Sequence, residues 1–287
     1  MTETSPQTDT TPDPPHPYTR TALARLLLSD ANREVAESAL GRIGTEDDSS
    51  STVMPGDFVR EAASLIRLAE YAQRQAVIYE RERGTSWEEI GEALGITRQS
   101  AHAKFADYVK AWRAPLDEPE RLHPDGTPDD RRIPYGARYA PGSAVPANGS
   151  AEKTACTLDR WLRQHSGPAD KCADQEHPVS GGLSRLSTIE MALLVGDAAH
   201  RMQMDHLVPD PQAQADLWDL HADLSERLIR ESQGGPLPKD IHLSVARDRA
   251  RAKVLRATPG SGVTWDSVIE AGQRVEKDGV PAGGIGG

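Results

Sequence analysis

Cysteine is scarce in this chain: Cys156 and Cys172 are the only two among 287 residues, too few for the disulfide framework that stabilises small secreted domains. Aromatic residues make up only 5% of the chain, with phenylalanine used twice, so any core must be modest and largely aliphatic. No apolar run approaches the roughly eighteen residues that cross a bilayer, and the Thr-, Pro- and Asp-rich N-terminus has no basic-then-apolar leader. A cytoplasmic protein with no membrane partner is expected. Extended alternation of Val, Ile and Thr is missing, as are a Gly-rich phosphate loop and a nucleophile elbow. The pattern therefore predicts neither a sheet nor an enzyme. Basic residues are outnumbered, 33 Lys and Arg against 44 Asp and Glu, for a net charge of -11; the chain as a whole is no polycation.

What is present is helical periodicity, and the expected fold is all-α. Residues 1–17 carry five prolines among polar residues, a pattern that predicts a disordered tail. Residues 18–113 read as an N-terminal helical domain. In it, Leu23, Leu26, Leu27, Val35, Ala39, Leu40 and Ile43 suit one helix, and 45–51 is an acidic, serine-rich loop. From Asp57 to Arg83 the positions Phe58, Ala62, Leu65, Ala69, Ala72, Ala76 and Tyr79 keep a three-four spacing. This predicts a rod of roughly 40 Å, either a long core helix or a seam that pairs two chains in a homodimer. Residues 114–150 hold seven prolines and little periodicity, which predicts a linker; its stretch Arg131 to Tyr139 has the composition of an extended phosphate-touching arm as well. Helical patterns resume over 151–279 as a C-terminal bundle. There Ile189, Leu193, Leu194 and Val195 are expected to face Leu217, Leu220, Leu224, Leu228 and Ile229 across a turn at Val208-Pro209-Asp210-Pro211. The Gly-rich end, 280–287, is expected to be flexible.

The most informative stretch is 86–105, which reads as two short helices joined by a tight turn. Ile90 and Leu94 lie four apart on the first helix, where Gly91 and Ala93 leave space for a second helix, and Gly95 supplies a left-handed stop with Ile96 expected to pack behind it. Thr97 caps the second helix. Ala101, Phe105, Tyr108 and Trp112 then form its inner stripe, leaving Arg98, Gln99, His102, Ala103 and Lys104 outward. Charge follows the same division. From Asp57 to Arg113 nine basic residues balance nine acidic ones, while Thr97 to Arg113 holds Arg98, Lys104, Lys110 and Arg113 against Asp107 alone.

The run Glu89-Ile90-Gly91-Glu92-Ala93-Leu94-Gly95-Ile96-Thr97-Arg98 resembles the promoter-reading (region four) helix-turn-helix of bacterial sigma factors. Continued through Gln99-Ser100-Ala101-His102 and Phe105, it is similar to a version common in small actinobacterial DNA-binding proteins. The resemblance covers about residues 84–112 and implies a helix-turn-helix used on double-stranded DNA. It departs at Lys104, where an apolar residue is usual and Phe105 takes over the packing.

Two further constellations raise metal chemistry. Cys156, His165, Cys172 and His177 offer two thiols and two imidazoles, but their wide separations do not match structural zinc pairs, and Cys156 reads better as a small core residue. Asp197, His200, Asp205 and His206, with Asp216, Asp219, His221 and Asp223 on the next helix, lack the Glu pairs of a bundle metal site and read as solvated faces. No metal or other cofactor is expected. The most basic helix, Lys239 to Ala257, leads into Gly262 to Ala271, which echoes Gly84 to Ala93 without a recognition helix after it.

These observations predict a sequence-specific transcriptional regulator that lays the recognition helix 97–112 in the major groove. Arg98 and Gln99 are the expected base readers, His102 and Ala103 lie beside them, and Thr97, Ser100, Lys104 and Lys110 are the expected phosphate contacts. The alternative is a helix-turn-helix that docks a protein such as RNA polymerase or a sigma factor, which the acidity favours; a metal-dependent enzyme tethered to DNA ranks below both.

Overall fold

A computed structural model of the chain describes residues 18–43, 54–117, 151–167, 175–201, 210–232, 240–257 and 263–278. The expected N-terminal tail, the 45–51 loop, linker residues 118–150, Cys172, the Val208-Pro209 turn residues and the C-terminal tail lie outside the described residues.

The all-α expectation holds. Among the described residues there are nine α-helices: α1 (Arg20–Leu40), α2 (Asp57–Glu82), α3 (Trp87–Leu94), α4 (Arg98–Arg113), α5 (Ala151–His165), α6 (Thr188–Arg201), α7 (Pro211–Glu231), α8 (Ile241–Ala257) and α9 (Trp265–Asp278). Short 3-10 turns at Ala114–Asp117 and Ser180–Gly182 accompany them, and an isolated antiparallel bridge joins Tyr18 to Arg185.

Two hydrophobic cores organise these helices. The first gathers Leu23, Leu26 and Leu27 of α1, Val77 and Ile78 of α2, Ile90 of α3, and Ala101, Phe105, Val109 and Trp112 of α4. α1 and α2 run antiparallel: the Thr21 hydroxyl donates to the Glu82 carbonyl at 3.3 Å, and the Arg25 guanidinium stands 5.6 Å from the Tyr79 ring centre. α2 is buried at Ala72, Gln75, Val77 and Ile78, whereas residues 58–62 and several positions through 70 are exposed. Only its C-terminal half serves the core beneath α4.

The first core reaches further along the chain than periodicity suggests. Leu116, expected in the linker, is buried there, and α5, expected to open the C-terminal bundle, packs on α1 through Ala151, Ala155 and Leu158. The segment after α5 closes over the same body. Thr19 donates its amide to the Ser184 carbonyl at 3.0 Å, and Arg185 stands 4.1 Å over the Tyr18 ring while reaching Glu152 at 3.0 Å. Buried Asp159 of α5 accepts hydrogen bonds from the amides of Val179 and Ser180 at 2.7 and 3.2 Å and from the Ser180 hydroxyl at 2.5 Å. Burial opposes ionisation of Asp159, but these donors outweigh it and hold the carboxyl below its ordinary range.

The second core joins α6 to α9 around Val195, Leu217, Trp218, Leu224, Leu255, Trp265 and Val268. α6 and α7 pack together, but the facing set differs from the expected one. Val195 turns inward as expected, but Ile189 and Leu193 are exposed, and Ala192 and Ala199 take the inner places. The cause is close approach at small residues. Gly196 lies against the His221 ring, where a Cβ would sit 3.1 Å from Nε2, and fully buried Trp218 draws the inner face of α7 toward itself and away from half-exposed Leu220. The echo at Gly262 to Ala271 is one of capping only: Trp265 is buried in this core, while Trp87 is a partly buried residue at the edge of the first.

Candidate nucleic-acid interface

The α3–α4 pair is built by its caps. The Ser86 hydroxyl accepts from the Glu89 amide at 3.2 Å and the Glu89 carboxylate accepts from the Ser86 amide at 2.7 Å, the reciprocal box that starts α3. These bonds hold the exposed Glu89 carboxyl below its ordinary range. Gly95, at φ 67°, ends α3 in the left-handed region, and the Ile96 amide closes the turn on the Gly91 carbonyl at 2.9 Å. A Cβ on Gly91 would stand 2.8 Å from the Ile96 carbonyl oxygen and 3.2 Å from the Arg98 amide nitrogen. Glycine at 91 is therefore what lets the turn fold back across α3. Ile96 itself is exposed and does not pack behind the turn.

Thr97 caps α4. Its hydroxyl oxygen accepts from the Ser100 amide at 3.1 Å and lies 2.9 Å from the Ser100 hydroxyl. These two hydroxyls thus hold each other, with one proton still free to point outward. Ala101, Phe105, Val109 and Trp112 are buried along the inner side of α4; Tyr108 is only half-buried, and Val109, not singled out from spacing, takes the inner place. The opposite side presents Thr97, Arg98, Gln99, Ser100, His102, Ala103, Lys104 and Lys110, all exposed. Lys104 arches over the Phe105 ring at 5.0 Å, which leaves its ammonium outward. Thr97, Arg98, Gln99 and His102 line an open hollow of about 580 Å³ at the start of α4.

Two supports of this face have no motif in the sequence. Trp87, the first residue of α3, meets the His102 ring edge-on with centroids 5.2 Å apart, and the Arg81 guanidinium covers Trp87 at 4.8 Å. The stack Arg81-Trp87-His102 ties the end of α2 to the exposed side of α4. Arg113, counted with the basic residues of this segment, faces the other way: it donates to the buried Glu82 carboxylate at 2.8 Å and pins the end of α4 to the end of α2. Arg98, Gln99 and Lys110, by contrast, have no side-chain partner among the described residues.

Each arginine of the basic helix α8 is held by a carboxylate, while Lys253 is exposed. Arg247 pairs with Glu276 at 2.6 Å, Arg251 with Asp248 at 3.2 Å, and Arg249 with Asp219, Asp223 and Glu226, while Arg256 holds Asp216 and Asp219. Asp216, Asp219 and Asp223 are thereby engaged within the bundle, and His221 Nδ1 lies 2.7 Å from buried Asp248.

The metal candidates are dispersed. Cys156 is exposed and not a core residue, His165 stacks on Trp161 with centroids 4.4 Å apart, and His177 lies 3.6 Å from Asp159. Among the described residues no three His, Cys, Asp or Glu side chains form a group suited to a metal ion, and no helix is long and apolar enough to cross a membrane. Comparison with protein-family models, curated proteins and solved structures found no match to this chain.

Proposed function

We propose that this chain is a sequence-specific regulator of transcription that binds duplex DNA by laying the exposed side of α4 in the major groove, and that it acts without catalysis. The observation that carries the reading is the contrast between two basic helices. The arginines of α8 are held by carboxylates, whereas Arg98, Gln99 and Lys110 project from α4 beside His102 and Lys104 with no side-chain partner among the described residues. A guanidinium matches the two acceptors on the guanine edge and a carboxamide matches adenine, so Arg98 and Gln99 at the helix start are the base readers. Lys104, Lys110 and the Thr97-Ser100 hydroxyl pair meet phosphate. Selection of bound duplexes from a randomised pool tests this directly. A recovered consensus on which Arg98→Ala binds about 10- to 100-fold more weakly supports the reading; failure to retain any duplex at low salt overturns it.

A second reading has its own observation. Glu88 and Glu92 are exposed on α3 beside the recognition helix and the chain carries a net charge of -11, which suits a module that docks a basic surface on RNA polymerase or a sigma factor. Retention of core polymerase by the full chain, undiminished by Arg98→Ala, would favour it over DNA binding.

A further inference from the structure

Ten large apolar side chains are exposed among the described residues, and six of them, Leu40, Ile43, Met54, Phe58, Val59 and Ile66, belong to one end of the α1–α2 hairpin. Because α1 begins beside the end of α2, its own end lies beside the start of α2, so these six residues share one arm that projects away from the reading unit. On that arm α2 has α1 along one side, through half-buried Ser64, Leu68 and Tyr71 and buried Gln75. On another side Val59, Ala62, Ile66 and Ala69 recur at steps of three, four and three and are all exposed, flanked by Phe58. Val59 and Ile66 are 74% and 61% exposed. Isolated apolar residues on a surface need no explanation; a contiguous stripe at coiled-coil spacing marks a contact surface.

We infer that this stripe is where a second copy of the chain docks, antiparallel, so that two α1–α2 hairpins close into a four-helix bundle. Three features select this occupant. The stripe alternates large and small: with two α2 helices crossed at Ser64, Val59 of one faces Ala69 of the other and Ala62 faces Ile66, each large side chain opposite a small one. Its own positions are uncharged, since Arg60, Glu61 and Arg67 fall on other sides of the helix; Glu70 flanks one end, and in the antiparallel register it stands opposite Phe58 rather than its own copy. Finally, two copies of an acidic chain repel over most of their surface, but α2 from Asp57 to Glu70 nearly balances, with two arginines against three carboxylates. A two-helix arm cannot cover its own outer stripe, and pairing through a two-fold axis covers both copies at once.

The inference goes beyond the DNA reading and does not depend on it, because the oligomeric state is measured without DNA. Sedimentation equilibrium of the full chain over a range of concentrations should give a dimer, and both Ile66→Arg and Val59→Lys should give a monomer with unchanged helical circular dichroism. A wild-type chain that stays monomeric at the highest concentration reached, or a dimer indifferent to both substitutions, overturns the proposal. Orientation is tested by oxidation after Cys156→Ser and Cys172→Ser. Ala62→Cys chains should cross-link with Ile66→Cys chains; cross-linking of Ala62→Cys to itself instead would overturn the antiparallel arrangement.

Discussion

Gly91 and Ile96 meet backbone to backbone, with the Ile96 amide donating to the Gly91 carbonyl at 2.9 Å and the Ile96 carbonyl oxygen 2.8 Å from where a Cβ on residue 91 would lie. The atom in the way is main chain, so no side-chain rotation relieves the clash. Gly91→Ala must push the turn away from α3 and tilt α4. We expect a loss of about 1 to 3 kcal/mol, the usual cost of overpacking, seen in thermal unfolding. Gly95→Ala offers a useful contrast: nothing lies within 4 Å of its Cβ position, and the cost comes from its φ of 67° alone, about 1 kcal/mol.

Lys110 and Arg113 stand one turn apart on α4 and should behave oppositely. Lys110 is exposed, and Lys110→Ala should weaken binding to all duplexes alike and lower the salt dependence by about one unit of slope. Arg113 is committed to Glu82, so Arg113→Ala should leave that slope unchanged and cost about 1 kcal/mol of stability, the partial exposure of the pair keeping the figure low. Salt titration of binding beside thermal melts separates the two. A changed slope for Arg113→Ala would place that residue on DNA.

Asp159 supplies a pH dependence. Its folded carboxyl lies below its ordinary value because the Val179 and Ser180 donors outweigh burial. The stabilisation is therefore complete above the unfolded aspartate value of about 3.9 and is lost as pH falls through the lower folded value. Asp159→Asn should melt earlier at neutral pH, by about 1 to 3 kcal/mol for the lost charge-assisted bonds. The gap between the two proteins should close on acidification, and a gap that stays constant down to strong acid would show that the segment at Val179 and Ser180 is held by other contacts.

Arg249 joins three carboxylates of α7 to α8. Burial disfavours the charge of Asp219, yet Arg256 and Arg249 more than compensate and keep its carboxyl below the ordinary range. Arg249→Ala should loosen the C-terminal bundle by about 1 to 2 kcal/mol and leave duplex retention unaltered. Reduced DNA retention with an unchanged melting temperature would place a phosphate contact on α8.

What the sequence revealed and what it hid divide along physical lines. Capping and local turn chemistry act over three to six residues, so Gly91, Gly95 and Thr97 could be read in their roles directly. The outward set from Arg98 to Lys104 followed from helical spacing once the inner stripe was placed, even though Val109 displaced Tyr108 within that stripe. Contacts between distant segments left no such trace. The Trp87-His102 stack and the Arg113-Glu82 pair join residues that periodicity treats as independent. The proline-rich stretch 114–150 suggested a domain boundary, yet Leu116 within it and α5 after it share the first core. A break in periodicity marks where helices stop and carries no information about which core the next helix joins.

The hydrogen bond from Arg185 to the Tyr18 hydroxyl spans 167 positions of sequence, and this sets the order of events during synthesis. When residue 117 leaves the ribosome, every helix of the reading unit has been made, but α5 and the segment that covers Tyr18 have not. The α1 surface destined for Ala151, Ala155 and Leu158 is then open to water, and closing a loop of this length is a late, entropically slow step. A nascent chain thus carries a complete α4 on an unfinished support, and under the proposed DNA-binding reading competence to bind should appear only after translation passes residue 185.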